Sequence, residues 1–428
     1  MKIEKHRLGE VCIKIGSGAT PRGGKDAYHE SGEYSLVRSQ NILDFTFSKD
    51  GLAFINEDQA SKLNNVALEE RDILLNITGD SVARVCQIPK EILPARVNQH
   101  VAIIRPNPNI LNPEFLKYYL LNPKFKEYML MLSSSGATRN AITKGMIEEF
   151  EIDTHDLPTQ KAIAEILTSL DDKIELNNQI NQNLEALAQA LFKQWFVDFE
   201  FPNENGDLYK SSGGEMVGSE LGEIPKGWRI YNFGELLETI SKTYPLKKVK
   251  EVIFLNTGDI QNGKFLHKNY SRADQLPGQA KKSIQLGDIL YSEIRPQNKR
   301  FAFVHFNAES FVVSTKLMVL RPRVNIDPFF MYFLLTQDDT IGYLQVLAES
   351  RSGTFPQITF SEVSTLKVAL PSFDEVNSFS DTVLKPYFEH SFNRDFENES
   401  LSELRNTLLP KLISGELEVN ESLLEQTF

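Results

Sequence analysis

Between Pro158 and Phe199 the apolar residues fall on a single stripe. Ile163, Leu167, Leu170, Ile174, Leu184, Ala188, Leu191 and Trp195 follow one another in steps of three and four, and Asn177 and Asn181 continue the same line where it turns polar. That spacing predicts one long helix with a coiled-coil seam. No Pro or Gly interrupts it after Pro158. Some 40 residues at 1.5 Å each make a rod of roughly 60 Å. A rod of that length with one apolar side needs a partner rod.

The flanking segments have a different texture. Val11–Ile15, Ala67–Ile77 and Val101–Ile104 are β-branched and apolar and predict strands. Asn112 and Pro113 open an amphipathic segment that runs to about Leu132, with Pro113 suited to the first helical position. The stretch from Phe201 to Pro225 is rich in Gly, Pro, Ser and Asn and predicts a linker or loop.

The pattern then returns. Asp72-Ile73-Leu74 recurs as Asp288-Ile289-Leu290, Ile104-Arg105-Pro106 as Leu320-Arg321-Pro322, and Ile142-Thr143 as Ile358-Thr359. Asp72 to Asp288, Arg105 to Arg321 and Thr143 to Thr359 share one offset of 216. Asn112-Pro113-Glu114-Phe115 returns as Asp327-Pro328-Phe329-Phe330 with a near-identical offset. A constant offset through a hundred residues marks a duplicated domain. The duplication predicts a second long helix, and Ser372–Gly415 supplies it. Ser372 and Glu375 form a capping box, and Leu384, Phe388, Phe392, Phe396, Leu401, Leu404, Leu408 and Leu412 form its stripe. Gly415 suits the residue after its end. Pro386 and Pro410 are expected to kink or restart it. Its first turn lacks the Gln-Lys-Ala-Ile of the first helix.

The expected architecture is therefore α+β: two similar globular domains separated by two long helices that form an antiparallel coiled coil, with a pseudo-two-fold internal repeat. The expected segments are a first domain at 1–157, a helix at 158–199, a linker at 200–228, a second domain at 229–371, a helix at 372–415 and a tail at 416–428. Asn181 corresponds to Asn398 across the repeat, and buried Asn in a coiled coil fixes register. The helix-pairing set is Ile163, Leu167, Leu170, Ile174, Asn181, Leu184, Leu191 and Trp195 on the first helix. On the second it is Leu384, Phe388, Phe392, Asn398, Leu401 and Leu408.

Composition changes this picture in a few places. The chain has 428 residues, 41% apolar and 24% charged, which predicts two or three soluble domains. No run is long and apolar enough for a membrane span, and the start lacks the apolar core of a signal peptide. Cys12 and Cys86 are the only cysteines, so a cytoplasmic location is expected. The net charge of −12 argues against a uniformly basic nucleic-acid binder and leaves local basic clusters to carry any such contact.

Catalytic patterns are missing from the sequence. It contains neither a GxxxxGK[ST] phosphate loop nor an HExxH pair, and seven scattered His show no metal spacing. Asp327-Pro328-Phe329-Phe330 resembles an amino-methyltransferase signature but lacks its second Pro, and the helix-cap reading wins. Asp288, Glu293 and Lys299 loosely resemble a nuclease core, but the first copy offers no matching Lys. Asp72 and Asp288 more simply shape a turn before a strand.

What remains is loop chemistry suited to reading DNA. Arg and Lys pair with guanine edges or phosphates, and Asn and Gln pair with adenine. The first copy offers Thr20, Arg22, Lys25, Arg38, Gln40, Asn41, Arg84, Asn98, Gln99, His100, Thr138, Arg139 and Asn140. The second offers Lys242, Tyr244, Lys247, Asn256, Thr257, Arg295, Gln297, Asn298, Lys299, Arg300, Lys316, Arg351, Thr354 and Gln357. Framework positions repeat while these loops differ, which suits a bipartite, asymmetric target.

Three segments carry a family resemblance. They are Gln160–Leu167 with its continuation Ser169–Ile174, Leu404–Leu417, and Leu221–Trp228. In combination they resemble the specificity (S) subunit of type I restriction–modification enzymes. The resemblance spans essentially the whole chain. It implies that the globular domains are target recognition domains, each reading half of a split double-stranded DNA sequence, and that the helices fix the spacing. It also implies that two methyltransferase (M) subunits dock on the helices and that restriction (R) subunits join them. On this view the chain has no active site and binds no cofactor. S-adenosylmethionine, ATP and magnesium would act through other subunits. The alternative is a helical scaffold whose loops bind protein rather than DNA.

Overall fold

The β-branched runs of the first half form strands, except that of Ala67–Ile77 only Ile73–Asn76 is one, because Glu69–Asp72 closes a turn before it. The computed structural model describes residues 3–21, 23–134, 141–351 and 353–419. In it, β1 (Cys12–Ser17), β2 (Tyr34–Val37), β3 (Ala53–Ile55), β4 (Ile73–Asn76), β5 (Val85–Gln87), β6 (Ala95–Val97) and β7 (Val101–Pro106) make two sheets. One is antiparallel in the order β1-β7-β4-β5. The other runs β3-β2-β6, with β2 and β6 parallel. All four residues of β4 are buried, so its apolar run faces packed neighbours on both sides.

The segment expected as one helix after Asn112 is two helices. Asn112 caps α1 (Pro113–Leu121) by accepting from the Phe115 N–H at 2.8 Å. Pro123 then disfavours helical backbone at the residue before it, and Asn122 is extended in ψ at 130°. α2 (Pro123–Ser134) restarts from that proline. The long helix follows as α3 (Leu157–Phe192), ending in a π-helical turn at Lys193–Val197.

The second half repeats the plan. β8 (Leu237–Thr239), β9 (Glu251–Leu255), β10 (Tyr270–Arg272), β11 (Ala280–Ser283), β12 (Ile289–Ser292), β13 (Phe301–Phe303), β14 (Phe311–Ser314) and β15 (Leu317–Pro322) again make two main sheets. The orders are β8-β15-β12-β13 and β10-β9-β14-β11, with β9 and β14 parallel. Even the register repeats: Leu74 faces Ile103 and Leu290 faces Val319. α4 (Pro328–Leu335) and α5 (Asp338–Arg351) follow. Asp327 caps α4, accepting from the Phe329 N–H at 2.8 Å, so this tetrapeptide starts a helix in both copies. The stretch 200–228 is more than a loop: Met216–Ser219 and Gly222–Pro225 pair as an antiparallel hairpin, and Phe201 stacks on Trp228.

The second long helix comprises α6 (Phe373–Phe379), a π-helical turn at Ser380–Leu384, and α7 (Lys385–Ser414). Ser372 and Glu375 form the expected capping box, and Gly415 follows the end with φ +73°. The expected restart is found near Pro386, and Pro410 does not interrupt the helix. Pro386 comes directly after the π turn, where the ladder is already altered and its missing N–H matters least. Pro410 lies inside α7, which continues to Ser414.

The chain divides into two units, Met1–Gln179 with Arg394–Phe428, and Ile180–Asn393. Each unit holds a globular domain and a length of both long helices, which run antiparallel within it. In the first, Ile163 and Leu167 are buried in one core with Leu409 and Leu412, and His155 Nε2 lies 3.1 Å from the Ile413 carbonyl. In the second, Ala188 and Phe192 share a core with Phe379, Leu384 and Phe388. Leu170 is buried, and Ile174, Leu184, Leu191, Trp195, Phe392, Leu401 and Leu408 are half-buried. Two stripe residues depart from the expectation: Phe396 is 70% exposed and Leu404 47% exposed. The polar contact sits one turn from where the repeat suggested. Asn177, not Asn181, is the buried amide; it donates to Asn398 Oδ1 at 2.9 Å and Glu397 Oε2 at 2.8 Å. Asn181 is half-buried and reaches only the Ser391 carbonyl, at 3.4 Å.

The divergent start of the second helix keeps the role of the first. Gln160 accepts from the Asn112 N–H at 2.8 Å and donates to the Ile110 carbonyl at 3.1 Å. Asn377 does the same to Asp327 and Asn325, at 2.8 and 3.0 Å. A different side chain thus ties each helix to the cap of the preceding one.

Candidate nucleic-acid interface

Each domain is braced by one buried ion pair. Asp72 is fully buried and accepts from Arg105 Nε at 2.7 Å and Nη2 at 2.8 Å, while its second oxygen also accepts from the Glu69 N–H. Asp288 is fully buried against Arg321 at 2.8 Å and accepts from the Gln285 N–H. Burial pushes the Asp288 carboxyl up, against the pull of those bonds. The hydrogen bond to Asp72 holds Arg105 charged despite its burial. These aspartates build turns. Glu293 and Lys299 go elsewhere, to Lys316 and Asp338, so the three residues of the nuclease-like pattern sit in separate pairs.

The turn after β4 is the turn after β12. Asn76 N–H bonds the Arg84 carbonyl and Ser292 N–H the Arg300 carbonyl, both at 2.9 Å. Val82 bonds Gly79 as Asn298 bonds Arg295. Ile77 takes the His100 carbonyl and Glu293 the Lys316 carbonyl. Gly79 and Ala83 have φ of +74° and +66°; Arg295 and Lys299 have +45° and +52°. The backbone is the same, and the side chains go from Gly-Asp-Ser-Val-Ala-Arg to Arg-Pro-Gln-Asn-Lys-Arg.

In the first domain this turn walls a cleft of about 390 Å³, lined by Ser39, Gln40, Thr78, Gly79, Asp80, Ser81, Arg84 and His100. Three expected residues, Gln40, Arg84 and His100, meet there. Thr78, Asp80 and Ser81 line it without having been expected; of these only Ser81 aligns, at the 216 offset, with an expected residue, Gln297. A hydrogen-bond chain orders one side. Thr20 donates to Gln99 Oε1 at 2.6 Å, Gln99 Nε2 meets His100 Nε2 at 2.9 Å, and His100 Nδ1 meets Thr78 Oγ1 at 2.6 Å. With the Gln99 amide as donor, His100 carries its proton on Nδ1. His100 is thereby committed on both nitrogens and positions its neighbours.

Four candidates are bound up within the protein itself. Asn41 is fully buried; its amide accepts from the Arg38 N–H and donates to the Ser48 and Asp50 carbonyls, stapling its loop. Asn98 is buried and turns the chain onto His100 by accepting its N–H. Tyr244 is buried, with its hydroxyl on the Glu309 carbonyl at 2.6 Å. Thr257 is buried, capped by Asn256 Oδ1 at 2.8 Å. Small polar residues beside turns serve backbone as readily as ligands.

Others stay at the surface in different states. Arg38 bonds the Gly51 carbonyl and lies over Tyr28, and Gln40 reaches the same carbonyl at 3.2 Å. Lys242, Lys247, Arg295, Gln297, Asn298 and Thr354 are exposed, and Arg300 is half-buried. Lys299 is tied to Asp338 at 2.8 Å and Arg351 to Glu362 at 2.7 Å. Lys316 contacts Glu293 and Gln357 at 3.4 and 3.5 Å. Lys25 lies on the short turn Gly24–Ala27. Arg22, Thr138, Arg139 and Asn140 lie outside the described residues.

The family model described as "Type I restriction modification DNA specificity domain" matches residues 2–186 and 225–383, most of the chain and both repeats. The chain belongs to the type I restriction–modification specificity family. Among its relatives, the HindI specificity subunit of Haemophilus influenzae is 46% identical over 157 residues; that match spans 36% of this chain and 34% of the relative, about a third of its length. The MjaIX specificity subunit of Methanocaldococcus jannaschii is 28% identical over 349 residues, 77% of this chain and 74% of that one. The crystal structure of a type I restriction–modification S subunit from M. genitalium shares the fold, with a TM-score of 0.53 at 15% identity over 96% of each chain. In this specificity-family chain the two matched segments coincide with two copies of one scaffold carrying different turns.

Proposed function

We propose that this chain is the DNA-recognition subunit of a type I restriction–modification complex and has no active site of its own. Each globular domain reads one half of a split double-stranded target. The long helices set the interval between the halves and dock methyltransferase subunits, two of them, which restriction subunits join. The chain holds no cofactor; S-adenosylmethionine, ATP and magnesium work through the other subunits, in the cytoplasm. One observation carries the reading: the turns after β4 and β12 share a backbone and differ in nearly every side chain. A duplicated scaffold with unlike polar turns suits an asymmetric two-part sequence better than a symmetric or single ligand. With a net charge of −12, attraction to phosphate must be local, which supports a contact through such loops.

The test is purification of the chain with its methyltransferase partner, followed by mapping of methylated positions on random-sequence duplexes. A bipartite motif and salt-sensitive binding are expected. Sequence-independent binding, or cleavage or methyl transfer by the isolated chain, would overturn the proposal.

A further inference from the structure

The turn after β12 holds a conformation that the first copy gives to glycine. Gly79 has φ +74°, and a Cβ built there meets nothing within 4 Å. Its counterpart is Arg295, at φ +45°. A non-glycine residue in the left-handed region carries a backbone cost, and such strain concentrates where a side chain is needed. The position is fixed by the surroundings: the Arg295 N–H bonds the Pro356 carbonyl at 3.1 Å and its carbonyl accepts the Asn298 N–H at 2.8 Å. The guanidinium itself is exposed, with no partner among the described residues.

The neighbouring cations are differently placed. Lys299 is drawn to Asp338, and Lys316 to Glu293 and Gln357. The turn therefore projects an exposed, unpaired guanidinium from a backbone bonded on both sides, flanked by the exposed amides of Gln297 and Asn298, while Arg300 at its end is half-buried and matched by Arg84 in the first copy. A guanidinium is a planar fork of donors that matches the O6 and N7 acceptors of guanine in the major groove. The same fork also fits phosphate oxygens, and it is the fixed backbone that favours a base edge at one set place.

We propose that Arg295 is a specificity-determining residue of the second domain and that it selects a guanine in its half-site. This rests on the function proposed above. The test uses the complex with its methyltransferase partner and duplexes in which each base pair of the mapped target is replaced in turn. Arg295→Gly restores the residue type that the first copy uses, so folding is kept, and an unchanged thermal midpoint checks this. The expected result is a roughly 10- to 100-fold loss of discrimination at one G·C pair of the second half-site, with the first half-site unaffected. A uniform fall on every duplex, with a shallower salt dependence, would assign Arg295 to phosphate and overturn the proposal; so would unchanged discrimination. A wild-type complex without a bipartite preference would overturn the parent reading as well, whereas a selective wild type with an equally selective variant overturns this inference alone.

Discussion

At the scale of single residues, the duplicated Asp–Arg pair is the strongest fixed point. Asp72 and Asp288 combine a buried carboxylate, an arginine partner and a turn N–H. Removing one member leaves a buried charge uncompensated, so Asp72→Ala is expected to lower stability by about 3 kcal/mol, read from urea midpoints. Asp72→Asn keeps the bond from Glu69 and should lose less. Glu114 adds a pH signal peculiar to the first domain, since its counterpart is Phe329. Burial alone would raise its carboxyl, but hydrogen bonds from Arg71, from its own backbone N–H and from Gln87 outweigh this and hold it below the ordinary 4.5. A depressed folded value means stability present above the unfolded value and lost as pH falls through the folded one. Wild type should therefore lose stability below about pH 4.5 more steeply than Glu114→Gln, with a difference under about 1 kcal/mol because Arg71 is half exposed. Equal acid slopes would refute this. The two aspartates were legible in the sequence because both copies keep them. The internal bonds of Asn41, Asn98, Tyr244 and Thr257 were not legible, because residue type alone does not tell whether a polar group faces a ligand or its own loop.

At the scale of elements, the helices were legible almost to their ends, because a three-and-four apolar stripe and a capping box act locally. The π turn before Pro386 fits the restart expected there, but the continuity through Pro410 was not legible, since it depends on packing elsewhere in the chain. Nor was the difference between the two helix–domain junctions. In the first unit Asp171 accepts from Tyr118 and from Arg405, both at 2.6 Å, with Lys117 Nζ at 3.5 Å. Arg405 also lies over the Phe45 ring at 3.5 Å. Burial pushes the Lys117 amine down even beside Asp171. The equivalent positions in the second unit are Tyr332, Phe333, Phe388 and Ala188, an apolar cluster with Phe388 5.5 Å from the Tyr332 ring and 6.4 Å from that of Phe333. One junction is ionic and the other aromatic, on one scaffold. Asp171→Ala should cost about 3–5 kcal/mol by stranding two cations. Combining Asp171→Phe with Lys117→Tyr, Tyr118→Phe and Arg405→Ala, after the second copy, should recover most of that loss. A combination no more stable than Asp171→Ala would show that the ion cluster is not replaceable as a unit.

At the scale of the whole molecule, the duplication itself was the most legible feature, and the sequence of the proposed DNA target the least, since base choice depends on where each loop meets a groove. The helices give the proposed function a length that can be changed. Both run from one unit to the other, dividing after Gln179 and after Asn393. The contacts of Asn177 with Asn398 and of Asn181 with Ser391 lie on either side of those points. A heptad inserted at both places leaves each set of contacts within its own unit and keeps the apolar seam aligned. Seven residues add about 10 Å of helix, roughly the rise of three base pairs. If the helices set the interval, methylation mapping of the doubly extended chain should return the same two half-sites separated by about three more base pairs. Inserting the heptad into one helix alone pulls Asn177 or Asn181 off its partner and should abolish specific methylation. An unchanged spacer in the double insertion, or an altered half-site, would remove the helices from the role of ruler and leave the interval to the domains themselves.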